Sequence, residues 1–157
     1  MVHLAYRHSH GFPQSQSQSG TLLVQLRGAH DGLLTEMENL DRMALGPQPG
    51  LGEITTGRWR IGQASLKRRS IASRVFDFLA DRLEGEGLAQ LRKVRLADQD
   101  MMRRSAAHVG NWTIEDICRD WNGYCRASRT IRAHMKSHIQ FERQWLYPLL
   151  ERLGRGI

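Results

Sequence analysis

His138 and Glu142 stand four residues apart in the stretch from Thr113 to Leu153, TIEDICRDWNGYCRASRTIRAHMKSHIQFERQWLYPLLERL, which is otherwise patterned for burial. Ile117, Trp121, Tyr124, Ser128, Ile131, Met135, His138, Glu142, Trp145 and Leu149 recur every three or four residues, as one face of a long amphipathic helix does. A carboxylate on such a stripe costs on the order of several kcal/mol unless it is paired or coordinated. An imidazole nitrogen and a carboxylate oxygen one turn apart are donors that suit iron, manganese or zinc. His134 lies one turn before His138 and offers a third donor on that flank, as a ligand or as a group orienting one.

Other elements must bring partners to this pair. From Thr21, a reasonable N-cap, to about Leu45, the spacing of Leu22, Leu26, His30, Leu33, Met37 and Leu40 predicts a first helix with His30 turned inward. His30 is then either a hydrogen-bonded neutral histidine or a ligand. After the loop GPQPGLGEITT, a second helix begins between Thr56 and Leu66 and ends near Glu84. Its inward face is Ala64, Ile71, Val75, Phe78, Leu79 and Leu83, and it holds no histidine. A third helix, from about Gly87 to His108, carries Asp98 in the seam of Leu91, Val94, Met101 and Ser105. Asp98 is there as a ligand or as the partner of a basic group from another helix. His108 sits close to Gly110, where a solvent-facing or helix-capping role is expected. Thr113 and Asp116 form a capping box that opens the last helix, while Gly123 and Pro148 are the places where it would bend.

No stretch alternates as a strand does, so the fold class is all-α, an antiparallel up-down four-helix bundle over residues 21–157. Residues 1–20, with the QSQSQS repeat, read as a flexible polar segment whose His3, His8 and His10 are solvated. In a bundle the seams converge, so that His30, His138 and Glu142, with Asp98 and His134, can meet in the interior.

The length of 157 residues, with 40% hydrophobic and 25% charged, fits one globular domain. The net charge is +7, with basic residues concentrated at Arg58, Arg60, Lys67, Arg68, Arg69 and Arg74 and acidic ones at Asp31, Glu36, Glu38 and Asp41 of the first helix. Such a basic face is either solvated or a dock for an acidic protein, nucleic acid being the less favoured partner. Trp59, between Arg58 and Arg60, is expected at a surface contact. No apolar run spans a bilayer and the N-terminus lacks the pattern of a signal peptide, so a cytoplasmic protein is expected. Cys118 and Cys125 are then free thiols. The chain has no Glu-x-x-His, no glycine loop for phosphate and no Ser-His-Asp arrangement, so an enzyme is not expected.

The stretches GAHDGLLTEMENL and HIQFERQWLYPLL resemble the hemerythrin-like "HHE" cation-binding family, whose last helix carries His-x3-Glu followed by an apolar-Tyr/Phe-Pro-apolar-apolar ending. The likeness covers roughly residues 21–153. It implies a four-helix bundle with a non-haem iron centre, di-iron in the family, ligated here by His30, His138 and Glu142. It also implies a sensing or regulatory role toward oxygen, nitric oxide, iron or stress. The chain departs from the family in its second helix, which offers Asp81, Glu84 and Glu86 but no His-x3-Glu, and in its third, where Asp98 stands near the expected histidine. The resemblance therefore implies a mononuclear or degenerate site, and the alternative is a metal-free interaction module using the basic face.

Overall fold

The computed structural model describes residues 12–156, which are all-helical: α1 is Phe12–Leu45, α2 Leu51–Ala80, α3 Gly85–Asn111, α4 Ile114–Arg119 and α5 Trp121–Arg155. Four of these are long and α4 is a short turn of six residues. His3, His8 and His10 lie outside the described residues.

Most of the expected inward residues are buried, while Ala64, Ser105, Trp121, Ile131 and Trp145 are half-buried. Leu22, Leu26, His30, Leu33, Met37 and Leu40 are all buried on α1, as are Leu91, Val94, Asp98 and Met101 on α3. α1 packs on α2 and α5, and α3 packs on α5 and, more loosely, on α2. The side chains fill the interior in layers. At one end Leu22, Leu26, Val75, Phe76, Leu79, Val94, Leu146 and Leu150 form the largest apolar cluster. Leu33, Met37, Met101, Met135 and Ile139 form a second, and Ile54, Ile117 and Tyr124 close the other end. His30, Arg68, Asp98 and Glu142 fall between the first cluster and the second along their helices, and His138 lies beside Ile139 of the second.

Helix boundaries differ from the sequence expectation where tertiary contacts outweigh local propensity. The helix expected from Thr21 starts at Phe12, so part of the segment read as a flexible lead is its first turns. Ser19 is buried there and donates its hydroxyl to the Leu150 carbonyl at 2.6 Å. α2 begins at Leu51, ahead of Gly57 and Gly62, because Ile54 is held against Ile117 and Tyr124. The predicted single helix from Thr113 is broken at Asp120, three residues before the suspected Gly123. Asp120 ends α4 and caps α5, its carboxylate accepting from the Gly123 backbone N–H at 2.8 Å. A Cβ on Gly123 would collide with that carboxylate, so a larger residue there would displace the cap. The capping box of Thr113 and Asp116 is formed. α5 runs through Pro148 without ending, with Leu149 and Leu150 buried in the large cluster beyond it. Among the described residues no helix is long and apolar enough to cross a membrane.

Candidate functional site: a buried polar centre around Arg68

Four long helices each contribute to one buried polar group. His30 comes from α1, Arg68 from α2, Asp98 from α3, and His138 and Glu142 from α5. His30, Arg68 and Glu142 have 1% or less of their surface exposed. The structure thus brings together four of the five predicted donors and adds an arginine that the sequence reading had placed on the basic surface. His134 is not among them: it is exposed on α5.

Arg68 Nη1 donates to Asp98 Oδ1 at 2.8 Å and to Glu142 Oε1 at 2.8 Å. His138 Nε2 lies 3.1 Å from the same Asp98 oxygen and 3.0 Å from the same Glu142 oxygen. The other Glu142 oxygen, Oε2, is 2.6 Å from His30 Nε2, and His30 Nδ1 is 2.5 Å from the Tyr147 hydroxyl. With His30 donating from Nε2 to the carboxylate, Nδ1 accepts from the tyrosine, a consistent chain for a neutral ring. Tyr147, partly buried and stacked on His30, has its pKa raised chiefly by burial, which keeps the hydroxyl a donor.

Burial alone would raise the Glu142 pKa. The hydrogen bonds from His138 and His30 and the Arg68 charge outweigh it and hold the carboxyl well below the usual range. Burial alone would likewise lower the His138 pKa, but hydrogen bonds to Asp98 and Glu142 carry it up to about 9. At neutral pH the centre therefore holds two carboxylates against two cations, Arg68 and protonated His138. Its charges cancel within the protein. One donor is left over, as Arg68 Nε is buried without a hydrogen-bond partner among the described residues.

The donor types are those of a metal site. Asp98, His138 and Glu142 each offer a ligand atom, and the three atoms lie within 4.8 Å of one another. As arranged, they do not fit a metal ion. Metal–oxygen bonds are about 2.0–2.2 Å long, so an ion bridging Asp98 Oδ1 and Glu142 Oε1 would press against the Arg68 nitrogen that already bridges them.

Arg68 was legible in principle. Ala64, Arg68, Ile71 and Val75 follow the four-three-four spacing of the α2 core face, so the arginine interrupts an apolar stripe as His138 does on α5. Its neighbours Lys67 and Arg69 made it look like part of a surface run. Tyr147 interrupted no apolar stripe; its signal was its place in the Tyr-Pro ending of HIQFERQWLYPLL. Trp59 does lie on the surface, 64% exposed.

Comparison with known protein families, curated proteins and solved structures finds no match for this chain.

Proposed function

We propose that this protein is a metal-independent helical binding module, an antiparallel up-down four-helix bundle of hemerythrin-like type in which Arg68 stands where such a bundle would hold its metal. The observation that carries this reading is the single guanidinium nitrogen 2.8 Å from both Asp98 and Glu142. A fixed positive charge there does what a metal cation would do for the fold, satisfying inward carboxylates from two helices. It has no open coordination position and no redox state. In this reading the role is binding rather than catalysis, with partners chosen by the rest of the molecule, whose net charge of +7 favours anionic ones.

A second reading is supported by the closeness of Asp98, His138 and Glu142. In it the module binds iron, with Arg68 swinging aside, and acts as a sensor in oxygen, nitric oxide, iron or stress responses. Elemental analysis separates the two readings. Protein purified from iron-supplemented cells, and again after anaerobic Fe(II) or aerobic Zn(II) titration, is expected to carry far less than one metal per chain. One or two metals per chain, lost in His138→Ala, would overturn the metal-independent reading.

A further inference from the structure

A cavity of about 510 Å³ is lined by residues of α1, α2, α3 and α5 and includes none of the residues of the polar centre. Its apolar surface includes Leu33, Met37 and Met135 of the middle core cluster together with Ile61, Met102 and Ile131. The volume falls in the range of pockets for small organic ligands, about 300–1,000 Å³, and methionines adapt readily to irregular ligands. The polar part of the lining is one-sided. It holds Arg58, Arg69, Arg132 and His108, and no carboxylate.

Arg132 is the telling member. It is buried, with only 4% of its surface exposed. Its Nε donates to Asp41 Oδ1 at 2.9 Å and its Nη1 to the Ser128 hydroxyl, but Nη2 is buried with no hydrogen-bond partner among the described residues. Asp41 does not neutralise it fully, since the same carboxylate also takes Lys136 at 2.8 Å. An unmet charged donor in a buried place is costly, and an anion drawn to this guanidinium would offset that cost. Ser128 accepts from Arg132, which leaves its own O–H to donate to the same anion. Burial, followed by the charges of Arg58 and Arg132, lowers the pKa of His108, in keeping with a locally positive field.

We infer that this cavity binds a small amphipathic carboxylate, its apolar body on the methionine-rich floor and its carboxylate drawn to the basic part of the lining at Arg132, beside Ser128. The inference rests on the reading of the chain as a binding module but not on the metal question: Arg132 and Arg68 are separate groups, and binding here is measurable whatever the metal analysis gives.

The test is calorimetric titration of the full chain with decanoate below its micellar range, beside decanol and decyltrimethylammonium. Two variants accompany it. Arg132→Lys keeps the charge but loses Nη2. Gly62→Leu adds bulk at a lining position where a new Cβ meets nothing within 4 Å. The expected result is saturable decanoate binding, weaker by roughly tenfold or more in Arg132→Lys, the loss of one charge-assisted hydrogen bond. Gly62→Leu should weaken decanoate binding as well, and neither decanol nor the cation should match decanoate. Absence of decanoate binding, equal binding of the uncharged or cationic analogue, or an unchanged affinity in Gly62→Leu would each overturn the inference. If Arg132→Lys fails to fold, judged by circular dichroism, Gly62→Leu and the headgroup series decide alone.

Discussion

Arg68 meets carboxylates from α3 and α5 through one nitrogen, and those carboxylates meet His138 and, through Glu142, His30. Taking out one member of such a set exposes the cost that its partners were compensating. Arg68→Met keeps the bulk but strands two buried carboxylates on one cation, and is expected to cost about 3–5 kcal/mol, read from urea unfolding followed by circular dichroism. Combining it with Asp98→Leu should cost less than Arg68→Met alone, since replacing a buried ion pair by apolar groups is often close to neutral. If the double variant were instead less stable than either single one, packing rather than charge would be the role of Arg68. Glu142, His138, His30 and Asp98 were readable because each interrupts an apolar stripe. His134 was the misleading residue. A helix turns about 100° per residue, so two steps of four residues accumulate a rotation of about 80°, enough to carry His134 out to solvent while Glu142 faces the core.

At the scale of elements, the break at Asp120 shows a short side chain competing with the helix for its own backbone. The hydrophobic spacing continues from Ile117 to Tyr124, both buried, so periodicity gave no warning of it. Asp120→Ala removes the cap and is expected to cost about 1 kcal/mol. Gly123→Ala should cost no more than this, because the added methyl displaces the same Asp120 carboxylate. The two losses should not add: with Asp120 already shortened, the methyl has less to strike, so the double variant should be more stable than the sum predicts. Additive losses in thermal or urea unfolding would show that the contact is not the reason for the glycine. The early start of α1 was hidden for a different reason. Glutamine and serine repeats carry no stripe, and the seat of Ser19 against Leu150 shows why helix continues there.

Over the whole molecule, the all-helical character and most of the core were legible from periodicity, since a residue's face follows from spacing alone. The polar centre was legible as a set of donors but not as an assembly. Which cation answers the carboxylates depends on how four helices are placed around one another, information that no single stripe contains. The assembly also sets how stability varies with pH. His138 is raised from 6.5 to about 9, so its contribution is fully present below about 6.5 and is lost as pH rises through about 9. Glu142 is shifted down from 4.5, so its contribution is present above 4.5 and is lost as pH falls below it toward the folded value. Urea midpoints should therefore be highest between about pH 5 and 6.5 and fall on both sides. His138→Asn should flatten the decline between pH 7 and 9, apart from what ionisation of Tyr147 and Cys125 adds above that range. An alkaline limb unchanged by this substitution would remove His138 as its cause.

The interlocking of Arg68, Asp98, His138 and Glu142 also governs how this sequence can drift. Each member is acceptable only while the others remain, so a mutational path that changes one at a time must pass through chains with a stranded buried charge. Exchanging the guanidinium for a bound ion, or the whole centre for apolar residues, requires at least two changes to arrive together. The four codons are thus entrenched as a group, held in place by one another.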